Sequence, residues 1–327
     1  MPGPNRSQVH IDAALTNLSV AYMQTADMFV ADKVFPIVPV QKQSDRYFVY
    51  LKEDWFRDEA ELRAPATESA GGGYELDNTP TYFCQKYAYH KEVTEEDRVN
   101  ADNTLNPDRD AVDFVSQKLL LRREVQWNQQ FFQPATWNNE TAGVAANPQA
   151  GEFLRWDEAG STPIQDITDA IMTIASQTGF RPNKLVLGAR VYAALKNHDD
   201  ILGRIVFTQR GIVTPEILAA LFDVDQVLVT WAVQNIAAKG AAENTDFLHG
   251  NHALLAYAAP RPALKQPSAG YIFGWNGLMG AGAYSNRMLR LPMPHLGLGT
   301  ERIEGEMAFD QRIVANDLAV FFNGAVS

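Results

Sequence analysis

Two histidines are the residues whose types and spacing come nearest to a metal site. His249 and His252 lie in the sequence HGNH. Imidazole nitrogens bind zinc, but a zinc site needs three or four protein ligands in all. No Asp, Glu or Cys at ligand spacing completes the set, so the pattern favours a loop that enters the apolar run at 253–258. We therefore predict no metal and no cofactor here.

Three glycines, Gly274, Gly277 and Gly280, repeat at the spacing GxxGxxG. Glycine-rich loops bind phosphates when they join a strand to the N-terminus of a helix. No predicted strand–helix unit frames these glycines, and the chain has no GxxxxGK(S/T) sequence. The spacing predicts a flexible loop or tight packing rather than a nucleotide site.

Two serines and two carboxylate clusters are the remaining candidate catalytic residues. Ser161 and Ser268 lack the GxSxG turn that exposes a nucleophilic serine. The carboxylate clusters at 95–97 and 199–200 are of the kind found at helix ends, which favours surface charge over acid–base catalysis. Distant residues could still assemble a site, but the motifs predict no catalytic residue and no enzyme.

The composition is that of an acidic globular protein. The chain has 327 residues, 46% of them hydrophobic, enough for one large or two medium domains. Its net charge is -11 and no Lys/Arg cluster stands out, which argues against tight nucleic-acid binding. The single cysteine, Cys84, excludes an intrachain disulfide. Without a signal-peptide layout or an apolar run of about 18 residues, we expect a cytosolic, soluble chain.

Residues 46–92 are predicted to form a long two-stranded excursion. Residues 46–52 and 81–93 have strand-like composition, and a polar tip with three consecutive glycines separates them. About ten residues of strand reach roughly 30 Å, and a two-stranded ribbon alone is only marginally stable. The ribbon therefore needs a surface outside its own domain. The tip residues that we expect to contact a neighbour are Arg57, Asp58, Glu59, Glu61, Arg63 and Glu68.

A long amphipathic helix follows the ribbon. Asn106 is a suitable cap and Pro107 suits the first helical position, while Pro134 predicts an end at about residue 133. At 1.5 Å per residue this helix is on the order of 40 Å long. Its predicted core positions are Val112, Val115, Leu119, Leu121 and Val125.

Shorter elements surround the ribbon and the helix. The prolines in residues 33–40 (KVFPIVPV) predict an extended edge or connector. Isoleucines at helical spacing predict a second helix from Pro163 to about Gly179. Alternating short strands and helices predict a compact α/β unit over about 177–295. Two more strands are predicted over 301–322.

In their order, these segments resemble the major capsid proteins of tailed double-stranded DNA bacteriophages, which have the Hong Kong 97 shell fold. The resemblance covers nearly the whole chain and rests on the order of elements rather than on one motif. It implies an α+β fold with an extended β-loop and a long spine helix. The segments that carry it are KVFPIVPV, PDRDAVDFVSQKLLLRREVQWNQQFF, KLVLGARVYAALKNHDDI, GIVTPEILAALFDVDQVLV, HGNHALLAYAAP and ERIEGEMAFDQRIVANDLAVFF.

The resemblance also implies a structural function. Pentamers and hexamers would tile an icosahedral phage head around packaged double-stranded DNA, which is enclosed without sequence-specific binding. The implied partners are other copies, a separate scaffolding protein, and portal and decoration proteins, with no membrane. The implied location is the virion, after assembly in the bacterial cytoplasm. The implied division is an N-terminal arm 1–45, an extended loop 46–92, a peripheral domain 93–176 with 296–327 and the spine helix 107–133, and an axial domain 177–295.

Two departures limit what the resemblance carries over. Some relatives have a cleaved N-terminal scaffolding region, whereas here the arm starts almost at Met1, so we expect a separate scaffold or none. Some relatives join subunits covalently through a lysine of the extended loop, but this chain has no lysine between Lys52 and Lys86. We predict a non-covalent shell, in which Cys84 is a buried small residue rather than an intersubunit disulfide.

Two alternatives stay open. An encapsulin-like compartment would keep the fold but enclose a protein cargo and no DNA. A soluble α/β hydrolytic enzyme with a β-ribbon lid would stay small in solution and have a polar, convergent pocket. Electron microscopy of the purified protein would separate the shell from the enzyme.

Overall fold

The described chain is a mixture of helices and strands. The computed structural model describes residues 23–101, 105–205, 213–263, 265–280 and 286–327, so residues 1–22 of the predicted N-terminal arm lie outside the described residues. The helices are α1 Lys52–Trp55, α2 Glu95–Asn100, α3 Pro107–Phe131, α4 Pro163–Thr178, α5 Ala189–Lys196, α6 Asp199–Ile205, α7 Pro215–Phe222 and α8 Asn276–Met279. The strands are β1 Ile37–Val40, β2 Ser44–Arg46, β3 Val49–Tyr50, β4 Leu76–Asp77, β5 Thr81–Phe83, β6 Gln85–Val93, β7 Asn139–Val144, β8 Glu152–Leu154, β9 Lys184–Gly188, β10 Gln226–Thr230, β11 Val233–Asn235, β12 Thr245–Phe247, β13 Ala253–Ala256, β14 Gly270–Trp275, β15 Asn286–Pro292, β16 Glu301–Ile313 and β17 Ala319–Asn323.

The two longest helices begin and end where local sequence predicts. The Asn106 side chain accepts a hydrogen bond from the Arg109 N–H (3.1 Å), and Pro107 occupies the first helical turn of α3. That helix ends at Phe131, two residues before the predicted end, because Phe132 already leaves the helical conformation. Gly179 ends α4 in the left-handed conformation (φ 71°), which glycine adopts without steric cost.

A five-stranded sheet is built around the long strand β16. The strand β6 pairs along one edge of it, from Val93 opposite Glu301 to Gln85 opposite Phe309. The strands β15 and then β14 pair along the other edge, and β1 runs parallel to β14 at the outside. Residues 37–40 therefore form an edge strand, as their prolines predicted.

A six-stranded sheet has the order β10-β9-β13-β17-β7-β8. Its pairs are parallel for β10–β9, β17–β7 and β7–β8 and antiparallel for β9–β13 and β13–β17. The two predicted tail strands exist, but β16 and β17 belong to different sheets. Each sheet combines segments from both sides of the predicted boundaries at 176 and 295, and the domain boundaries themselves stay a prediction.

One continuous apolar core joins the two sheets. The C-terminal half of α3 enters it through Trp127 and Phe131, which are fully buried. Phe131 packs against Phe35 of the N-terminal segment with ring centroids 4.7 Å apart. The helix thus connects both sheets rather than covering only one.

The buried positions of α3 differ from the predicted set. Of the five predicted core residues only Val115 is fully buried, and Val112, Leu119, Leu121 and Val125 are half-buried. The helix crosses β6 and β16 with one narrow line of side chains and then turns aromatic and charged side chains into the core. Its fully buried residues are Ala111, Val115, Arg123, Glu124, Trp127 and Phe131.

Gly305 lets α3 approach the sheet closely. A Cβ atom at this position of β16 would meet Leu119 Cδ1 at 2.6 Å and Val115 Cγ1 at 2.7 Å. We expect Gly305→Ala to lower the free energy of unfolding by about 1–3 kcal/mol, because packed side chains must move. Chemical denaturation measures the loss. Gly203→Ala in α6 is the control, since nothing lies within 4 Å of its new methyl group; equal effects of the two substitutions would contradict the close approach.

Candidate assembly surface

The predicted ribbon exists but is shorter than residues 46–92. Strand β2 pairs with β5 (Ser44 opposite Phe83), and β3 pairs with β4 (Tyr50 opposite Leu76). Residues 85–92, predicted as its returning arm, instead lie in the five-stranded sheet beside β16. The reason is that β6 gains a nine-residue pairing with β16, whereas the ribbon strands pair only with each other. We call residues 44–83 the ribbon.

Three aromatic side chains hold the two strands of the ribbon together. Tyr50, Trp55 and Tyr74 have ring centroids 5.8–6.0 Å apart from one another. The Nζ atom of Lys265 lies 5.4 Å from the Tyr50 ring and 5.8 Å from the Trp55 ring. An ammonium group over aromatic faces is attracted by the ring quadrupoles. This cluster attaches the ribbon to the loop that precedes β14.

An ion pair provides a second attachment to the subunit's own body. Lys52 of α1 pairs with Asp317, in the turn before β17. The hydrogen bond from Lys52 is the main reason why the pKa of Asp317 lies below its usual range. Phe56 lies beside Gly179, at the end of α4. These contacts attach the part of the ribbon around Tyr50, Lys52 and Phe56, called here its base, to the rest of the subunit.

The ribbon also carries large apolar side chains that its own subunit leaves exposed. Leu62 is fully exposed, and Phe48 and Phe56 expose 66% and 58% of their surface. Exposed large apolar side chains concentrated on one segment mark a contact site more often than singly scattered ones do. Among the described residues, eight of the twenty exposed large hydrophobic side chains belong to the ribbon: Phe48, Leu51, Trp55, Phe56, Leu62, Tyr74, Leu76 and Phe83.

The charged tip contains all six predicted contact residues. Arg57, Asp58, Glu59, Glu61, Arg63 and Glu68 are exposed, and no helix or strand lies between Phe56 and Leu76. Their contacts are local: Arg57 is 3.9 Å from Glu59, and the Arg63 Nε–H donates to the Thr67 carbonyl (2.6 Å). The tip makes little contact with its own core. Its role in binding a neighbour stays a prediction.

Cys84 lies at the junction of the ribbon and β6. Its side chain is fully buried, and its Sγ is 3.5 Å from the Phe273 carbonyl. Burial raises the pKa of the thiol to about 12, so it is protonated at neutral pH. A buried, protonated thiol is a poor nucleophile, which fits the prediction of a packed small residue.

Ser161 and His198 form the contact that most resembles a catalytic pair. Ser161 Oγ is 2.9 Å from His198 Nε2. However, His198 Nδ1 accepts the Asp200 N–H, so a neutral ring carries its proton on Nε2 and donates it to the serine. The Ser161 hydroxyl in turn donates to the Glu158 carbonyl (2.7 Å). No base is directed at the hydroxyl, so the pair is structural.

A cavity of about 350 Å³ between α3 and the strands β15 and β16 also lacks acid–base groups. Arg123 and Arg287 are the only titratable side chains among the described residues that line it. The other described lining residues are Ser116, Leu119, Leu120, Asn286, Met288 and Met307. The cavity does not supply the polar, convergent pocket that the hydrolytic alternative requires.

The two histidines of the HGNH sequence lie in the loop that enters β13, as predicted. His252 Nδ1 accepts the Gly324 N–H (2.9 Å), and His249 is buried against α3. Across the described ranges, no group of three His, Cys, Asp or Glu side chains is arranged to hold a metal ion. The contact of His249 with Glu124 (3.3 Å) was not predicted, because nothing in local sequence relates the two.

The glycine series serves packing. A Cβ atom on Gly277 would meet the Gln41 carbonyl oxygen at 2.0 Å, and Gly280 has a φ of 83° after α8. Gly274 lies within β14. This arrangement agrees with the predicted loop or tight packing.

In the part of the chain that the structure describes, no helix is long and apolar enough to cross a membrane.

Sequence comparison relates the chain to phage proteins. No family model matches it. It is 28% identical over 321 residues to a major capsid protein of Pseudomonas phage JBD67, with 97% of each chain covered. It is 27% identical over 230 residues to a major capsid protein of Burkholderia phage BcepMu, with 68% of this chain and 69% of that protein covered.

Structural comparison gives the same fold. A phage-related protein of Bordetella bronchiseptica RB50 superposes with a TM-score of 0.67 at 20% identity, over 92% of this chain and 94% of that one. The capsid of cyanophage P-SCSP1u superposes with a TM-score of 0.59 at 11% identity, over 98% and 94%. The α+β fold is therefore that of the phage capsid proteins, as the order of elements predicted, and the comparisons support a capsid shell over the two alternatives.

Proposed function

We propose that this chain, whose curated relatives are phage major capsid proteins, is the structural subunit of an icosahedral phage head. Copies assemble as pentamers and hexamers into a closed shell around packaged double-stranded DNA. The subunit has no catalytic role, and the shell forms in the cytoplasm of the bacterial host. The relatives support the shell, and the ribbon supports the way in which copies join.

The observation that carries the proposal is the set of exposed apolar side chains on the ribbon. The ribbon is attached to its own subunit through Lys265 and Asp317, while its Phe48 and Leu62 side chains stay exposed. Covering such side chains removes apolar surface from water, which favours association by about 25 cal/mol per Å². In the proposed shell, the ribbon and its charged tip lie on a second copy.

The predicted division of the chain is kept as part of this proposal. Residues 177–295 gather around the five-fold and six-fold axes, and residues 93–176 with 296–327 form the periphery. The net charge of -11 supports a wall that encloses DNA without binding it. A scaffold, a portal and decoration proteins are the proposed partners.

The shell is proposed to be non-covalent. The ribbon has no lysine between Lys52 and its last residue, so it offers no ammonium group at its tip for an isopeptide bond. The only cysteine, Cys84, is buried within the subunit. Particles should therefore dissociate into single chains in denaturing, non-reducing electrophoresis.

Assembly of the purified chain tests the proposal. Expressed alone or with its scaffold, the protein should give capsomers or shells far above the 36.3 kDa of one chain. Light scattering after size exclusion and negative-stain microscopy measure this. A stable monomer at high concentration and physiological salt, with the scaffold present, would contradict it. Particles from infected cells should contain nuclease-protected DNA; protein cargo without DNA would favour the compartment instead.

A further inference from the structure

The N-terminal residues 24–35, called here the arm segment, are built into the core by several elements. Gln117 of α3 donates to the Gln24 carbonyl (2.7 Å), and the Gln24 side chain makes two hydrogen bonds with the backbone of Val233 (2.9 and 3.0 Å). Lys184 of β9 donates to the Val34 carbonyl (2.8 Å). The fully or almost fully buried members of the segment are Phe29, Val30, Ala31, Val34 and Phe35.

A buried carboxylate lies at the middle of this arrangement. Glu124 of α3 is fully buried. Its Oε1 accepts the Val30 N–H (3.0 Å), and its Oε2 accepts the Ala31 N–H (2.9 Å). Without Glu124 these two buried backbone donors would lose the acceptor that it provides, which is costly. Glu124 therefore seats the arm segment.

A histidine faces the same carboxylate from the other side. His249 Nε2 is 3.3 Å from Glu124 Oε1, and its side chain is 1% exposed. The ring lies between Trp127 and Phe132, with centroid distances of 5.4 Å to each. None of the described residues gives either ring nitrogen a well-aligned hydrogen bond. An acid and a base thus face each other in an apolar enclosure.

The net charge of this pair depends on one proton. Arg123 of α3 pairs with Asp32 of the arm segment (3.2 Å), so these two charges offset each other. His252 faces the Gly324 N–H, and the Lys184 ammonium is occupied by arm-segment carbonyls. With an ionised Glu124 and a neutral His249, the pair itself carries one negative charge. One added proton removes that charge, whichever of the two side chains takes it.

We propose that Glu124 and His249 form a proton-controlled latch on the arm segment. With the extra proton bound, the pair is neutral and the segment stays seated. When the proton is lost, the buried negative charge favours opening of the segment, which lets water reach the carboxylate. The latch is a property of one subunit and does not depend on the proposed shell.

The direction of the pH dependence follows from burial. Burial raises the pKa of Glu124 from 4.5 to about 7, against the opposing effect of the Val30 and Ala31 N–H groups. Burial lowers the pKa of His249 to about 3, so the proton resides on Glu124. An acid whose folded pKa is raised contributes stability that is complete below its unfolded pKa and is lost as the pH rises through the folded value. The segment should therefore open more readily as the pH rises from about 4.5 to about 7, and opening should change little above that.

Hydrogen exchange on the full chain tests the latch. Protection factors of the amides at 30–35 are measured between pH 5.5 and 8.5, each relative to the unprotected rate at the same pH and in the same oligomeric state. Wild-type protection should fall with rising pH by up to about tenfold per unit, the limit for one linked proton, until the pH reaches the folded pKa of about 7, and it should level off above that value. A flat wild-type profile would overturn the proposal, and no variant is needed for that decision.

Variants identify the titrating group. Glu124→Gln keeps a carbonyl acceptor of the same size and cannot ionise, so its protection should not vary with pH. Glu124→Ala should lower protection at every pH, because the acceptor is gone. Asp113→Asn, on the same helix, is the control and should keep the wild-type slope. If Glu124→Gln retained that slope, the titrating group would lie elsewhere and the latch would be refuted.

Discussion

A subunit whose residues 57–73 are replaced by a short Gly-Ser turn should fold normally and fail to close shells. The tip is exposed and contacts little of its own core, and loop closure entropy changes slowly with length, so stability should change little. Assembly should fail because every subunit loses the same intersubunit contact. Circular dichroism and thermal unfolding check the fold, and negative-stain microscopy checks the shells.

The two ends of the deleted segment lie close together in the structure. Trp55 and Tyr74 lie on either side of the deleted residues with ring centroids 5.8 Å apart, and the Glu75 N–H donates to Asp54 (2.8 Å). A short turn can therefore join the two ends without disturbing the aromatic cluster. Robust shells from the shortened protein would show that the tip is not an intersubunit clamp. An unfolded product would place the tip in the subunit's own core.

A full-length variant separates charge from length. Here the six charged tip residues become Ser or Gln, and the length of the ribbon is kept. If the charges set the contact, this variant should also assemble poorly, and salt should weaken wild-type assembly, because exposed charges are screened. Normal assembly of the neutral tip would assign the contact to the apolar residues such as Leu62.

Leu119→Pro should prevent the subunit from folding to a soluble product. Leu119 lies at the middle of α3, and proline there removes the hydrogen bond to Val115 and clashes with the preceding turn, at a cost of about 3 kcal/mol or more. That is a large fraction of the stability of a typical domain. The loss should be amplified because α3 connects both sheets through Trp127 and Phe131. Soluble yield and circular dichroism measure it.

Leu119→Ala is the matched control for this substitution. It removes the same half-buried side chain from its contact with Gly305 but keeps the helical hydrogen bond. We expect a folded, less stable subunit that still assembles. Soluble and normally assembling Leu119→Pro protein would show that residues 107–131 need not form one continuous helix.

Local sequence was sufficient wherever an element depends on its neighbours in the chain. The start of α3 at Pro107 and the end of α4 at Gly179 follow from capping and backbone conformation within a few residues. The strand at 184–188 and the edge strand at 37–40 follow from composition and proline chemistry. The order of elements also resembled that of phage capsid proteins, and this resemblance implied a shell protein.

Local sequence did not predict which strands pair with each other. Residues 81–93 have one continuous strand-like composition, yet β5 pairs in the ribbon while β6 pairs with β16. The tail strands β16 and β17 are close in sequence but lie in different sheets. A strand's composition describes how it fits a sheet, not which sheet. The length of the ribbon was therefore decided only when a distant partner competed for residues 85–93.

Sequence by itself determined the elements, the acidic charge and the absence of a catalytic motif. Tertiary structure alone decided which charges are buried and what faces them. Nothing in the local sequence identified Glu124 as a buried residue, but the helix turns this carboxylate into the core, where it accepts a hydrogen bond from Val30, 94 positions away. Burial of a charge is stable only where specific donors meet it. Those donors come from segments that only the complete fold brings together.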